Sequence, residues 1–143
     1  MKKTVLIVDD DDAIRESLRK LLLSEGYEVR LAANGQEGLD QFDPAHVDLL
    51  ILDLNLPAKS GWDLFERFSF INPLLPIIII TGRDNQYQLA AAAGVGALME
   101  KPLDVPRLLQ TIGSLLAEPA ETRLKRLVGL KKDLHYAAAR PTV

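Results

Sequence analysis

The sequence LILDLNLP, residues 50–57, decides the fold of this chain. Its apolar run is too short for a helix, and the turn-forming residues Asn55 and Pro57 follow directly. A run of this kind is typical of a strand buried on both faces of a parallel sheet. Asp53 then lies at the carboxyl end of the strand, which is the edge of an open α/β sheet where ligands bind. We therefore interpret Asp53 as a reactive carboxylate and the rest of the chain as the frame of a site around it.

Apolar runs and helical patterns alternate along the chain on both sides of this stretch. Runs at residues 4–8, 27–31, 47–52, 77–80 and 97–99 indicate five strands. Helical patterns follow each of them, within residues 14–22, 36–42, 62–68, 85–93 and 105–116. Five strand–helix pairs in succession predict an α/β fold, in which helices cover both faces of a five-stranded parallel sheet.

The composition fits a globular protein and excludes several functional classes. The 143 residues suit one compact domain, and 48% of them are hydrophobic, which is enough for a core. With a net charge of −3, binding to nucleic acid or to an anionic membrane through bulk charge is not expected. The absence of cysteine excludes disulfides, thiolate catalysis and cysteine-bound metals. No apolar run approaches the ~20 residues of a membrane span, and the N-terminal run is too short for a signal peptide, so we expect a cytoplasmic protein.

The sequence divides at Glu118-Pro119 into a domain, residues 1–118, and a basic extension, residues 119–143. The basic residues of the extension are Arg123, Lys125, Arg126, Lys131, Lys132 and Arg140. Leu124, Leu127 and Leu134 fit helical spacing, so we predict a short helical extension, which is too small to build a core of its own. A solvated helix, a dimer helix and a linker to a further segment remain open.

Chemically active side chains follow four of the five predicted strands. Asp9 and Asp10 follow the first strand, Asp53 the third, Thr81 the fourth and Lys101 the fifth. Because the carboxyl ends of parallel strands meet at one edge, these side chains are expected to converge if the four strands are neighbours. Two carboxylates ~4 Å apart repel by roughly 4 kcal/mol at an effective dielectric constant near 20. Either some of the carboxylates hold protons, or a cation lies among them.

Oxygen ligands without cysteine or histidine favour Mg²⁺ over zinc at such a site. The loop at Asn55 offers a backbone carbonyl as a further ligand. A carboxylate, a metal, an ammonium group and a hydroxyl together suit phosphoryl transfer, and aspartate is an established covalent acceptor. Asp11 and Asp12, by contrast, are typical of a helix N-terminus, where a carboxylate caps the first turn and favours the helix dipole.

Four motifs in register resemble the receiver domain of two-component response regulators. They are Val8-Asp9-Asp10, Leu52 to Pro57 with Gly61, Ile80-Thr81-Gly82, and Lys101-Pro102. Each motif alone is weak, but their joint occurrence over residues 1 to about 117 is specific. The resemblance implies a doubly wound, flavodoxin-like sheet with strand order 2-1-3-4-5. It also implies a Lys101-Pro102 peptide bond that is usually cis.

The resemblance further implies that Asp53 accepts a phosphoryl group from a histidine kinase or a phosphotransfer protein. The implied Mg²⁺ ligands are Asp9, Asp10, Asp53 and the backbone carbonyl of Asn55. Thr81 and Lys101 would contact the phosphoryl group. Such a chain is a switch rather than an enzyme, since it catalyses only its own phosphorylation and dephosphorylation. The output protein is unknown, and a homodimer through the extension stays open.

One position departs from the family pattern. The family usually has Tyr or Phe three residues before the lysine, and this chain has Leu98, which puts the usual output route in doubt. The main alternative is therefore a receiver-fold interaction module that does not use phosphorylation. A phosphatase or a flavin protein is disfavoured, because the acidic turn at residues 9–12 would repel a nucleotide phosphate. If the switch operates, the alanine-rich helix at residues 85–93 has the fewest anchors and is expected to move most easily.

Overall fold

The structure is a computed structural model, and it describes residues 2–56, 61–83, 85–129 and 134–139. Four residues discussed above, Pro57, Lys131, Lys132 and Arg140, lie outside the described residues. The chain divides into two compact units, Met1–Leu75 and Pro76–Val143.

The first unit contains three parallel strands and three helices. Its elements are β1 (Thr4–Val8), α1 (Asp12–Ser24), β2 (Glu28–Ala32), α2 (Gly35–Gln41), β3 (Leu49–Asp53) and α3 (Gly61–Ile71). Strand β1 pairs in parallel with β2 on one side and with β3 on the other. Every residue of β1 and β3 is buried, as their uninterrupted apolar runs predict for strands covered on both faces.

The second unit continues the alternation and then adds two elements. Its elements are β4 (Ile77–Thr81), α4 (Tyr87–Ala93), β5 (Ala97–Glu100), α5 (Val105–Ala117), α6 (Ala120–Leu127) and β6 (His135–Ala137). Strand β5 pairs in parallel with β4 and with β6. Helix α4 begins two residues later than the alanine-rich pattern indicates, because Asn85 adopts a left-handed φ of 61° that cannot continue a right-handed helix.

The strand order is β2-β1-β3-β4-β5-β6. This confirms the doubly wound parallel fold and the order 2-1-3-4-5 expected from the sequence. The sixth strand is a departure from the expected five. Its three residues, His-Tyr-Ala, carry no apolar run, so the strand owes its existence to pairing with β5 and not to a local pattern.

Within the second unit, a buried ion pair attaches helix α6 to the end of helix α5. Arg126 is only 4% exposed, and its two terminal nitrogens donate to the two carboxylate oxygens of Glu118 at 3.0 and 2.6 Å. Gly94 allows this packing, since an added Cβ would lie 2.8 Å from the Arg126 carbonyl oxygen, and its φ of 75° favours glycine. A charged, amphipathic helix is thereby fixed against the end of α4.

The start of helix α1 follows the sequence prediction. Asp11 is the N-cap, and its Oδ1 accepts hydrogen bonds from the backbone N–H groups of Ala13 at 2.9 Å and Ile14 at 3.1 Å. Asp12 lies in the first turn, where its charge is favoured by the helix dipole. This cap fixes the turn that carries Asp9 and Asp10.

Gly61→Ala is expected to destabilise the protein by about 1–3 kcal/mol through overpacking. An added Cβ would lie 2.5 Å from the Cα and 2.8 Å from the carbonyl oxygen of Leu54, which are backbone atoms that cannot rotate away. Leu54 directly follows Asp53, so the strain falls on the loop of the acidic site.

Gly113→Ala is the matched control. Gly113 lies inside α5, and an added Cβ meets no heavy atom of the surrounding described residues within 4 Å. Alanine at this position should stabilise the protein by about 0.5–1 kcal/mol, because it restricts the backbone conformations that the unfolded chain can adopt. Urea unfolding followed by circular dichroism measures both variants, and equal stability of the two would contradict the packing argument.

In the described ranges, no helix combines the length and the apolar character that crossing a membrane requires.

Candidate functional site

Three carboxylates meet at the carboxyl ends of β1 and β3. Val8 pairs with Leu52, so Asp9 and Asp53 are the next residues on neighbouring strands. Both are 1% exposed, whereas the adjacent Asp10 is exposed to solvent. One carboxylate oxygen from each of the three residues lies within 4.8 Å of the other two. The first unit therefore brings together the acidic residues that the sequence places at its strand ends.

Local hydrogen bonds fix the orientation of the two buried carboxylates. Oδ1 of Asp9 accepts from the backbone N–H of Asp11 at 2.9 Å, and Oδ1 of Asp53 accepts from that of Asn55 at 3.0 Å. Each aspartate thus stabilises the turn that follows its own strand. Arg15 adds a hydrogen bond of 2.6 Å to the backbone carbonyl of Asp9. The carboxylates are consequently held by the loops they belong to.

The acidic cluster has the chemistry and the spacing that a divalent cation requires. Two unit charges at this separation repel by about 3–4 kcal/mol at an effective dielectric constant near 20, so a bound cation would relieve a real cost. In an octahedral Mg²⁺ site, adjacent ligands lie about 3 Å apart and opposite ligands about 4.2 Å apart, so three oxygens within 4.8 Å of one another are near enough to approach one ion. The side-chain oxygen of Asn55 is buried, and it has no hydrogen-bond partner among the residues that the structure describes. The donor set is all oxygen and therefore fits Mg²⁺.

Thr81 and Lys101 lie together in the second unit. Thr81 is fully buried at the end of β4, and its Oγ1 accepts from the backbone N–H of Arg83 at 2.9 Å. The backbone N–H of Lys101 donates to the carbonyl of Thr81 at 2.8 Å, and the Lys101-Pro102 peptide bond is cis. Hydroxyl and ammonium groups are thus carried on adjoining strand ends, β4 and β5.

A cavity of about 350 Å³ opens beside these strand ends. Its lining residues are Gly82, Arg83, Glu100, Lys101 and Ala139. The sequence analysis named Lys101 and, within a motif, Gly82, but it gave no role to Glu100 or Ala139. Glu100 directly precedes the lysine and could have been noticed for that reason. Ala139 carries no signal, since it reaches the cavity only because β6 pairs with β5.

The family model of the response regulator receiver domain matches residues 5–113 of the chain. This chain belongs to the response regulator receiver domain family. The match spans all five strands of the predicted sheet. Strand β6 lies beyond the matched residues.

Similar proteins and solved structures include response regulators. The response regulator MprA of Mycobacterium tuberculosis is 36% identical over 140 residues, which cover 93% of this chain and 61% of MprA. The chain therefore spans about three fifths of the length of this relative.

Solved structures agree with the family assignment. A CheY-like receiver domain protein from Methanospirillum hungatei is 33% identical, with a TM-score of 0.76 and coverage of 87% of this chain and 98% of that one. The response regulator TrrA of Thermotoga maritima, solved in complex with Mg²⁺ and BeF, is 30% identical, with a TM-score of 0.72 and coverage of 79% and 98%. The receiver domain is thus a component of two-component signalling.

Proposed function

We propose that this receiver domain accepts a phosphoryl group on Asp53 from a histidine kinase or a phosphotransfer protein. The observation that carries the proposal is the meeting of Asp9, Asp10 and Asp53 within 4.8 Å at the ends of paired strands. In this proposal Asp53 is the acceptor, and Asp9 and Asp10 would join it in holding a cation. The complex of TrrA with Mg²⁺ and BeF supports the same chemistry, because it holds a divalent ion and a fluoride complex of beryllium.

The transfer step is a displacement at phosphorus. A carboxylate oxygen of Asp53 attacks the phosphorus atom of a phosphohistidine and forms an acyl phosphate. The bond between phosphorus and the imidazole nitrogen breaks, and the nitrogen keeps the electron pair. The hydrogen bond from Asn55 N–H to Oδ1 holds the carboxylate in one orientation during the attack.

Asp9, Asp10, Asp53 and the backbone carbonyl of Asn55 are the proposed ligands of Mg²⁺. When bound, Mg²⁺ supplies positive charge against the oxygens of the phosphoryl group. Thr81 would donate its hydroxyl proton to one of these oxygens, and Lys101 would neutralise another through its ammonium group. These contacts would pull the ends of β4 and β5 toward the acyl phosphate, and the weakly anchored helix α4 is the element we expect to follow.

The proposed setting is the cytoplasm, in contact with a histidine kinase and an output protein. The protein acts as a switch rather than as an enzyme with a separate substrate. Nucleic acid and membrane are not proposed as partners of this chain, since its net charge of −3 gives no general attraction to either. A homodimer formed through the extension stays a proposal.

Incubation with acetyl phosphate tests the function. In the presence of Mg²⁺, intact-protein mass spectrometry should show the addition of one phosphoryl group, and peptide mapping should place it on Asp53. Chelation of Mg²⁺ should stop the uptake. A phosphoryl group mapped to another residue would overturn the assignment of Asp53.

The second candidate is an interaction module that keeps the fold and does not use phosphorylation. Leu98 favours it, because this position is fully buried and aliphatic and lacks the aromatic ring that the family usually has. The two candidates differ in whether the acidic cluster binds metal, since a module without the chemistry has no need of it.

Mg²⁺ is expected to raise the melting temperature if the cluster binds it. A ligand that binds only the folded state stabilises by about 2.7 kcal/mol at 100 times its Kd. Differential scanning fluorimetry with millimolar Mg²⁺ measures the shift, and Asp9→Asn should remove most of it because a ligand is lost. Asp63→Asn, a substitution of an exposed aspartate on α3, is the control and should leave the shift intact. The same small shift in all three proteins would favour the interaction module.

A further inference from the structure

Strand β6 covers the outer edge of β5. The two strands run in parallel, with Leu98 opposite Tyr136 and Met99 opposite Ala137. The backbone N–H of His135 donates a hydrogen bond to the carbonyl of Gly96 at 3.0 Å, at the beginning of the pairing between β5 and β6. This edge strand comes from the extension and lies outside the residues that define the family.

Tyr136 ties β6 to three other elements of the second unit. Its hydroxyl donates to Oε2 of Glu100 on β5 at 3.0 Å, and its ring packs edge-on against Tyr87 of α4, with centroids 5.3 Å apart. Its carbonyl accepts from Nη2 of Arg107 on α5 at 3.1 Å. Partial burial raises the pKa of Tyr136, and the hydrogen bond and the charge of Glu100 raise it further, so the hydroxyl stays a proton donor at neutral pH.

Glu100 links β6 to Lys101, which is one of the two residues predicted to contact the phosphoryl group. Its Oε1 accepts a hydrogen bond from the backbone N–H of Ala139 at 3.2 Å, so each of its carboxylate oxygens accepts a hydrogen bond from the extension. Glu100 is adjacent in sequence to Lys101, and both line the same cavity as Ala139. Any displacement of Glu100 therefore lengthens two hydrogen bonds that hold β6 in place.

The attachment of β6 is weak enough to open. The strand has three residues and a tyrosine that is 36% exposed, and one of its sides has no neighbouring strand among the residues that the structure describes. Short edge segments with few buried apolar contacts have a low free energy of local unfolding, whereas a fully buried strand such as β4 has a high one. We therefore expect β6 to open more easily than the buried strands of the sheet.

We propose that β6 is a strap that is docked on β5 in the resting protein and is released when Lys101 engages a phosphoryl group on Asp53. The proposal rests on the proposed function for its trigger, and the hydrogen bonds of Tyr136 and Ala139 to Glu100 are its latch. Movement of Lys101 toward the phosphoryl group shifts Glu100, breaks the latch and exposes the ring of Tyr87 and the edge of β5. The strap thereby reports the phosphorylation state of Asp53 through the edge of the second unit.

Millisecond hydrogen exchange on the full chain tests the strap. Mg²⁺ with beryllofluoride serves as the probe, and fluorine NMR shows independently whether the probe binds. We expect exchange of residues 135–139 to rise at least about fivefold on binding, with little change in β1 and β3, because only the weakly held strand opens. Asp53→Asn should show neither the fluorine signal nor the rise.

The outcomes separate the strap from the function on which it rests. A bound fluorine signal with unchanged or slower exchange at residues 135–139 would overturn the strap and leave the proposed function standing. Absence of a fluorine signal from the unmodified protein would overturn the proposed function and the strap with it.

A pair of phenylalanine variants tests the latch itself. Tyr136→Phe keeps the ring against Tyr87 but loses the bond to Glu100, so resting exchange should rise about fivefold and the further rise with the probe should shrink. Tyr27→Phe, in the first unit, is the matched control and should leave both values unchanged. Equal resting exchange in the two variants would show that Glu100 does not hold the strap.

Discussion

Asp53→Asn is expected to reduce phosphoryl uptake from acetyl phosphate to background. A carboxamide lacks the anionic oxygen that attacks phosphorus, so the variant has no acceptor even when donor and Mg²⁺ are present. The substitution should not unfold the protein, because it removes one of three like charges that lie within 4.8 Å and repel one another. Intact-protein mass spectrometry measures the uptake, and thermal unfolding without Mg²⁺ checks the fold.

The control for this variant is Asp63→Asn. Asp63 is exposed in the first turn of α3, and losing its charge should leave uptake at the level of the unmodified protein. Equal labelling of the Asp53 variant and the control would refute Asp53 as the acceptor. Lost uptake together with a lowered melting temperature would point to a structural role for Asp53 instead.

Glu118→Ala is expected to destabilise the protein by about 3–5 kcal/mol, because it removes the carboxylate that accepts hydrogen bonds from both terminal nitrogens of a buried guanidinium group. Arg126 is 4% exposed and donates to both oxygens of Glu118, at 3.0 and 2.6 Å. A loss of this size lowers the melting temperature by about 10–17 °C for a chain of this length. Chemical and thermal unfolding, followed by circular dichroism, measure the two quantities.

Glu121→Ala provides the matched comparison on helix α6. Glu121 pairs with Lys125 at 3.1 Å, and the two side chains are 77% and 49% exposed. An exposed pair one helical turn apart contributes about 0.3–0.5 kcal/mol, so this variant should be almost as stable as the unmodified protein. If both variants lost the same free energy of unfolding, burial of Arg126 would not increase the contribution of its ion pair to stability.

The parallel sheet and its acidic edge are predictable from sequence because each depends on local patterns. The apolar runs that form β1, β3 and β4 have no competing helical period, so they allow one interpretation. Asp9, Asp10 and Asp53 directly follow such runs, and parallel strands end at the same edge. Their meeting therefore follows from strand order, and the family resemblance supplied that order.

The features that the sequence does not reveal depend on pairing between distant segments. Strand β6 has no pattern of its own and exists because β5 offers an open edge. The partner of Arg126 is eight residues away at the end of the preceding helix, and one arginine among several basic residues gives no sign that it is buried. Tyr136 and Glu100 are 36 positions apart, so their contact is also invisible before the chain is folded.

The cover that β6 places on β5 has a consequence for solubility. Without it, the second unit would present the unsatisfied N–H and C=O groups of β5 as a template for strands of other molecules. Strand β6 has only three residues, but its pairing occupies these groups of β5. Hydrogen bonds from His135 to Gly96 and from Ala139 to Glu100 hold it at its two ends. Release of the strand would therefore make the protein prone to edge-to-edge self-association at high concentration.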